Sequence, residues 1–288
     1  MRALAVPLGA WRARITAPTK DGLTMVGVVT WGFQKAEAAV WREDGSFAIL
    51  PGLGGNYAAA SAVTPDGAVI VGTAAEPSGE HRLVRWIGRE IEVLSPDLAY
   101  HVGAGEISED GSVISATAWP LASVEESFAA ARWTARAGFE VLRPGPNGEP
   151  CVGAGALSGD GRFMIGWMAP WCGKGQHHYA FRWSESKGYE LLEPVYRGWR
   201  TVAYDVSRDG SVIVGSIDPG FMTYEDYATI WRIGRGMEDL NVLYREIVPS
   251  GWTLTFATGV SPDGRYIVGY GWNPSYRTEA WLIDTRGE

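Results

Sequence analysis

The sequence feature that most constrains the fold is an Asp-Gly pair that recurs six times, at intervals of 44 to 54 residues. An Asp-Gly pair between two β-branched or alternating runs is a strong signal for a tight hairpin, because glycine tolerates the positive φ angles of such turns. Ser or Thr stands two residues before each Asp, and glycine stands six residues after it in five of the six repeats. The pairs are Asp21-Gly22, Asp66-Gly67, Asp110-Gly111, Asp160-Gly161, Asp209-Gly210 and Asp263-Gly264.

A tryptophan follows each of these Asp residues by 18 to 23 positions. An apolar pair that ends in leucine comes next in the first four repeats, and Leu240 stands at the matching place in the fifth. Each repeat therefore has room for four short strands. Four strands at this period are typical of a β-propeller blade, and a single four-stranded sheet cannot bury both of its faces alone. The six repeat tryptophans are Trp41, Trp86, Trp133, Trp183, Trp231 and Trp281.

The repeat predicts an all-β protein: one domain over residues 1–288 that forms a six-bladed β-propeller of four-stranded antiparallel blades. The sixth repeat ends seven residues after Trp281 and so lacks its last strand. A spare strand over residues 3–8 precedes the first repeat, where Ala5-Val6-Pro7-Leu8-Gly9 resembles Ile49-Leu50-Pro51-Gly52-Leu53. We expect this N-terminal strand to pair in the last blade and to close the ring, which would remove two open sheet edges.

Composition excludes several classes of partner. The net charge of −8 and the pI near 5.2 argue against nucleic acid, whose phosphates require a basic surface. No run of 18 apolar residues occurs, so we predict no membrane span. The N-terminal apolar run is too short for a signal peptide, which leaves a cytoplasmic location open.

The repeated residues are best explained by structure. The six Asp residues lack the clustered carboxylates that a Ca²⁺ site needs, so we predict no metal site and no cofactor. The repeat tryptophans should pack between blades. The glycine six residues after each Asp, such as Gly27, should let an aromatic ring lie across the strand.

These motifs resemble the HAF-repeat family of probable extracellular repeat proteins. The family pattern runs Ser-x-Asp-Gly-x-x-x-Val-Gly, then Ala-Phe-Arg-Trp, then Gly-Met-x-x-Leu. Ser158-Gly159-Asp160-Gly161 and Ala180-Phe181-Arg182-Trp183 match it closely, as do residues 261–271. The resemblance implies a propeller-like protein that is extracellular or displayed on the cell surface, and it implies no catalytic residues.

Function is expected in the variable loops opposite the uniform Asp-Gly turns, because variable loops on a rigid scaffold usually carry binding sites. Eight of the 14 tryptophans lie outside the repeat position and fall near these loops. Tryptophan offers a large amphipathic surface with few rotors, so a small molecule or a glycan is the expected ligand. The candidate residues are Trp31, Trp119, Trp171, Trp199, Trp272, Tyr100, Tyr196, Tyr224, Tyr276, His177, Arg197 and Arg200.

Other interpretations of the same loops remain open. The rings could anchor long loops or form a protein interface, and the protein could be an assembly component of a cell surface or virion. Carboxylates such as Asp218 and Asp226 could support lyase or hydrolase chemistry at the same mouth. Cys151 and Cys172 fall at one end of the fourth blade, close enough for a disulfide bond if the loop folds back.

Overall fold

The computed structural model shows an all-β chain, as predicted. It forms two compact units, Met1–Leu142 and Arg143–Glu288. Within each sheet, neighbouring strands are antiparallel and follow one another directly in the sequence. The structure describes residues 4–33, 35–95, 100–121, 128–142, 151–169, 178–219 and 226–286.

The first unit contains three four-stranded sheets, and in each sheet the spatial order of the strands is their order in the chain. This order is the one expected for three consecutive repeats of a meander. The strands of the first sheet are β1 Arg12–Pro18, β2 Thr24–Trp31, β3 Lys35–Arg42 and β4 Phe47–Ile49. The second sheet has β5 Ala58–Val63, β6 Val69–Ala75, β7 His81–Ile87 and β8 Glu90–Val93. The third has β9 Tyr100–Ile107, β10 Val113–Pro120, β11 Ala129–Thr134 and β12 Gly138–Val141.

The second unit has two four-stranded sheets and one three-stranded sheet, with the same sequential order. None of the helices in the described residues is long or apolar enough to cross a membrane. The fourth sheet has β13 Cys151–Leu157, β14 Met164–Ala169, β15 Tyr179–Ser184 and β16 Gly188–Leu191. The fifth has β17 Arg200–Val206, β18 Val212–Asp218, β19 Tyr227–Arg232 and β20 Gly236–Asp239, followed by the helix α1 Leu240–Leu243. The sixth has β21 Thr253–Val260, β22 Tyr266–Trp272 and β23 Thr278–Asp284.

The Asp-Gly turns are longer than the two-residue turns that the dipeptide suggested. In the second repeat the closing backbone bond runs from the Thr64 amide to the Val69 carbonyl at 2.9 Å, so four residues form the connection. Asp66 Oδ1 accepts hydrogen bonds from the Thr64 hydroxyl at 2.6 Å and from the Ala68 amide at 3.0 Å. These bonds lower the pKa of Asp66 below its usual value. Only Gly67 needs a positive φ, of 73°.

All six repeats contain this network, which gives the Ser or Thr before each Asp its role. The hydroxyl donates to the aspartate and also accepts the amide of the residue five positions on, as at Val69. The network holds both polar side chains and several turn amides in hydrogen bonds within the turn. Two turns also bond to the next repeat, where the Asp160 amide donates to the Arg208 carbonyl and the Arg208 amide donates to the Pro262 carbonyl.

The glycine six residues after the aspartate is required mainly by the backbone of the first strand. A Cβ atom on Gly72 would lie 2.1 Å from the Ala59 carbonyl oxygen, and one on Gly215 would lie 1.9 Å from the Val202 oxygen. The predicted ring contact also exists at Gly72, where the Cβ would lie 2.8 Å from the Trp86 ring. The close approach coincides with a bulge in the first strand, where the register shifts.

Hydrophobic clusters form between sheets that follow one another within each unit. One cluster joins Val26 and Val40 of the first sheet to Ala60, Val84 and Trp86 of the second. Similar clusters join the second sheet to the third, the fourth to the fifth, and the fifth to the sixth. Four repeat tryptophans, Trp86, Trp133, Trp231 and Trp281, belong to these clusters and so pack between sheets, as predicted. Trp41 belongs instead to a cluster of the first sheet with the N-terminal segment.

The N-terminal segment differs from the prediction of a strand over residues 3–8. The residues of this segment that the structure describes form no strand, and among described residues the sixth sheet has three strands. Trp41 Nε1 donates to the Ala5 carbonyl at 2.7 Å, just as Trp86 Nε1 donates to the Pro51 carbonyl at 2.8 Å. Ala5 therefore occupies the position that Pro51 occupies in the next repeat, shortly after a fourth strand. The comparison of the two apolar segments instead matches Pro51 with Pro7, which lies two residues later. Closure of the ring by the N-terminal strand stays a prediction.

The turn network predicts an effect of Ser158, whose side chain is fully buried. Ser158→Ala removes the bonds to Asp160 at 2.7 Å and from the Phe163 amide at 2.9 Å. We expect a loss of about 1–2 kcal/mol in the free energy of unfolding, because a buried amide loses its acceptor. Urea unfolding measures the loss. The control is Ser186→Ala in an exposed turn, which should change stability by less than about 0.5 kcal/mol; equal losses in both variants would contradict the role of the network.

Candidate functional site

The candidate site residues that the structure describes lie at or near the strand ends opposite the Asp-Gly turns. In each sheet the third strand begins at this end, close to the residue that lies five positions before the repeat tryptophan. Five of these six residues have an aromatic or a charged side chain, and the residue type varies from sheet to sheet. They are His81, Phe128, His178, Asp226 and Tyr276.

In the first unit five rings form a continuous row, which we call the aromatic ladder. His81 stacks on Tyr57 with ring centroids 5.0 Å apart, and its other side meets the edge of His101 at 5.4 Å. His101 in turn stacks on Trp119 at 5.7 Å, and Trp119 contacts Phe128 at 6.3 Å. All five side chains are at least partly exposed. The ladder therefore offers one extended, ring-lined surface.

Two histidines lie in the middle of the ladder, and a hydrogen bond joins them. The His81 amide donates to His101 Nδ1 at 3.1 Å, so that nitrogen carries no proton. Burial, and then the nearby His101, lower the pKa of His81 below its usual value. The ladder thus combines ring faces with imidazole nitrogens.

A glycine fixes the position of the Trp119 ring. A Cβ atom on Gly103 would lie 3.2 Å from Cζ3 of Trp119, closer than carbon atoms normally pack. Gly103 lies on β9 and Trp119 near the end of β10, so the ring lies across the neighbouring strand. Substitution of this glycine would move the ring without removing it.

In the second unit Trp199 lies between two tyrosines, with centroid distances of 4.6 Å to Tyr196 and 5.8 Å to Tyr227. The Tyr196 hydroxyl donates to Asp239 Oδ2 at 3.2 Å. Burial, followed by the charge of Asp239, raises the pKa of Tyr196. Tyr196 also lines a cavity of about 790 Å³ between α1 and the end of β23.

A charged group lies at the same strand ends of the fifth sheet. Arg200 forms an ion pair with Asp218 at 2.9 Å, and the two residues face each other across β17 and β18. Burial, and then the charge of Asp218, raise the pKa of Asp226 to about 6, although Arg200 opposes this shift. Burial, and then Arg200, lower the pKa of His178.

The predicted site residues therefore do not form one set. Trp119 belongs to the aromatic ladder, where Tyr100 precedes His101. Tyr196 and Trp199 form the cluster beside the cavity, and Arg200 pairs with Asp218. Trp272 and Tyr276 are 39% and 84% exposed, Arg197 is exposed, and the Trp31 ring is partly buried with no partner for Nε1. Trp171, His177 and Tyr224 lie outside the described residues.

The sequence-based candidates missed His81, His101 and Phe128. Two of these, His81 and Phe128, occupy the position five residues before the repeat tryptophan. That fixed spacing was the available signal, and counting back from each tryptophan would have found both. Within the described residues, no group of three or more His, Cys, Asp or Glu side chains could hold a metal ion.

Cys151 is fully buried at the start of β13 and takes part in a disulfide bond. The other cysteine of the chain, Cys172, lies outside the described residues. The predicted bridge is therefore supported at the one cysteine that the structure describes.

No family model matches this chain, and no curated protein matches its sequence. The resemblance to HAF-repeat proteins accordingly stays a prediction.

Solved structures share the fold at low sequence identity. TolB from Acinetobacter baumannii is 17% identical, with a TM-score of 0.53 over 79% of this chain and 54% of that protein. A putative TolB from Agrobacterium tumefaciens is 14% identical, with a TM-score of 0.55 over 94% of this chain and 90% of that protein. Prolyl oligopeptidase B from Galerina marginata is 11% identical, with a TM-score of 0.63 over 97% of this chain and 40% of that protein. The chain thus spans about half of the first TolB, and the likeness shows a β-propeller fold.

The raised pKa of Asp226 predicts a pH-dependent gain in stability for Asp226→Asn. With a folded pKa of about 6 against an ordinary 3.8, the wild-type protein loses stability as the pH rises from about 4 to 6, and the loss persists above pH 6. After allowance for solvent screening, we expect the variant to be more stable by about 1 kcal/mol at pH 8. The gain should shrink towards zero below pH 4, where both states are protonated.

Urea unfolding at pH 4 and pH 8 measures this difference. Glu90→Gln, an exposed change of the same charge in the second sheet, is the control and should give no such pH-dependent gain. A gain for Asp226→Asn that is equal at both pH values would show that Asp226 has an ordinary pKa.

Proposed function

We propose that the protein is a ligand-binding module that takes a carbohydrate at the aromatic ladder. The observation that carries this proposal is the unbroken row of five rings from Tyr57 to Phe128, centred on Trp119. Sugar rings present flat C–H faces that pack on aromatic rings, and their hydroxyls need neutral donors and acceptors. Trp119 and Tyr57 supply ring faces, and His81 and His101 supply ring nitrogens.

The ladder suits an extended chain better than a compact ligand. Its successive ring centroids are 5.0 to 6.3 Å apart, so adjacent rings form one continuous surface. The lowered pKa of His81 disfavours its charged form, so His81 does not favour an anionic sugar. We therefore expect neutral oligosaccharides to bind better than monosaccharides, because they cover more of the rings.

Trp119 should be the main contributor to binding, and Trp272 should contribute nothing. A panel of neutral oligosaccharides on an array selects a ligand, and calorimetry then measures its affinity. We expect Trp119→Ala to weaken binding at least tenfold, which is about 1.4 kcal/mol. Gly103→Ala should also weaken binding, because the added Cβ atom would displace the Trp119 ring, although the variant retains this tryptophan.

Trp272→Ala is the matched control, since Trp272 is an exposed tryptophan at the same kind of strand end without a place in the ladder. Far-ultraviolet circular dichroism checks that each variant is folded. Equal affinity in the wild type and in folded Trp119→Ala would remove the basis for the proposal, as would an equal loss in Trp272→Ala.

We further propose that the protein works outside the cytoplasm. The disulfide bond of Cys151 supports this location, because such bonds persist in oxidising compartments and are rare where thiols are kept reduced. The resemblance to HAF-repeat proteins points the same way.

Peptide mapping without reductant should find one linked peptide that contains Cys151 and Cys172. Reduction should lower the free energy of unfolding by about 3 kcal/mol, the value expected for a closed loop of about 20 residues. Two free thiols in protein isolated from its native source would count against the proposed location.

A further inference from the structure

Two aromatic rings outside the aromatic ladder lie exposed at the end of the first sheet. Trp11 is 63% exposed and Phe33 is 94% exposed. The two rings meet edge to face, with centroids 4.4 Å apart and an interplanar angle of 80°. We call Trp11 and Phe33 the outer pair. Most of the surface of both rings is open to solvent, so the pair can still cover a ligand.

Backbone pairing places the outer pair at the strand ends opposite the Asp-Gly turn. The Trp11 amide donates to the Thr30 carbonyl at 2.9 Å, just before β1 begins. Phe33 lies in the connection between β2 and β3, where Trp31 pairs with Lys35. The backbone of the sheet therefore holds both rings in position without burial of their faces.

A backbone bridge connects the outer pair to the aromatic ladder. Ala36 pairs with Tyr57 in a parallel bridge, and the Ala36 amide donates to the Asn56 carbonyl at 3.0 Å. Neighbouring strands lie about 5 Å apart, and the three residues of chain from Phe33 to Ala36 span at most about 11 Å. The Cα atoms of Phe33 and Tyr57 are therefore at most about 16 Å apart. Since Tyr57 is the first ring of the ladder, the outer pair lies beside the end of the ladder.

The charged neighbours of the outer pair leave ring surface as its main feature. Lys35 forms an ion pair with Glu37 at 2.6 Å, so its charge is balanced. Arg12 follows Trp11 in the chain, and because side chains alternate along a strand the two residues point to opposite faces of the sheet. The outer pair thus resembles the ladder, whose surface is also made of rings.

We propose that the outer pair is a second subsite for the glycan that binds the aromatic ladder, so that the ligand is a linear polysaccharide. This inference rests on the carbohydrate binding proposed for the ladder. A glycan seated on Tyr57 continues past Ala36 and places a later sugar ring against Trp11 or Phe33. The flat C–H face of that sugar packs on the exposed aromatic face, which removes apolar surface of both from water.

Binding at the ladder makes this second contact favourable. A glycan that is already bound presents its next sugars to the outer pair at a high effective concentration. The second contact loses little further translational and rotational freedom, which the first contact has already restricted. We therefore expect affinity to rise in a step once the glycan is long enough to reach Trp11 and Phe33.

The test is calorimetric titration of the full chain with a homologous series of linear neutral oligosaccharides, of the linkage that the array selects. The series starts from the shortest member that binds. We expect the affinity of the wild-type chain to increase at least tenfold from the shortest to the longest members. Phe33→Ala and Trp11→Ala should each remove most of this increase, and the affinity for the shortest member should stay within about twofold of the wild type.

Two further substitutions of Phe33 separate ring stacking from general apolar attraction. Phe33→Tyr retains a ring face and should retain the increase with length. Phe33→Leu retains an apolar side chain without a ring face and should lose most of the increase.

Tyr276→Ala is the matched control, because Tyr276 is an 84% exposed ring in the connection between β22 and β23 of the other unit. It should change the affinity for neither the short nor the long members. Trp119→Ala should weaken short and long members alike, since it acts on the ladder. Far-ultraviolet circular dichroism checks that each variant is folded.

Two calorimetric results would overturn the second subsite and leave the carbohydrate site at the ladder intact. One is wild-type affinity that does not rise with glycan length, and the other is a rise that folded Phe33→Ala and Trp11→Ala both retain. A wild-type dimer that becomes monomeric in Phe33→Ala, measured by light scattering, would assign the rings to a second copy of the chain and overturn it too. No binding of any member would overturn both proposals, so the two failures are distinguishable.

Discussion

The hydrogen-bond network of the Ser/Thr-x-Asp-Gly turn is the interaction on which the rest of the structure depends. In each repeat one hydroxyl and one carboxylate satisfy the turn amides from within the turn itself, as Thr64 and Asp66 do. Local hydrogen bonds within each turn therefore stabilise the first hairpin of each sheet. The hairpin fixes the register of the first two strands, and that register brings the inner-strand carbonyl against a glycine such as Gly72. Uniform turns at one end leave the other end free to vary.

The free end differs from sheet to sheet because no repeated network constrains it. In the first unit it carries a row of rings that includes two histidines, which suit a ligand with many hydroxyl groups. In the second unit it carries Asp218 and Asp226 beside Arg200. The same backbone positions thus carry different side chains from sheet to sheet, including the residue five positions before the repeat tryptophan.

The spacing of the repeat markers predicted the number of sheets, the strand order and the packing of four of the six repeat tryptophans between sheets. It could do so because a turn signal and a buried ring at fixed separation leave few other arrangements. The N-terminal strand was placed wrongly because similarity between short apolar segments does not fix a register. The hydrogen bond from Trp41 to Ala5, matched by that from Trp86 to Pro51, fixes it two residues away.

The sequence alone determined that this chain is built from six antiparallel sheets with uniform turns at one end, because that information lies in local contacts within each repeat. It also showed that aromatic residues gather at the other end. Only the tertiary structure decided which of them meet: His81 and His101 stack between Tyr57 and Trp119 although up to 62 residues of sequence separate the members. Such contacts form across neighbouring sheets, and in the second unit burial raises the pKa of Asp226. Neither distance nor burial between repeats is encoded in the spacing within one repeat.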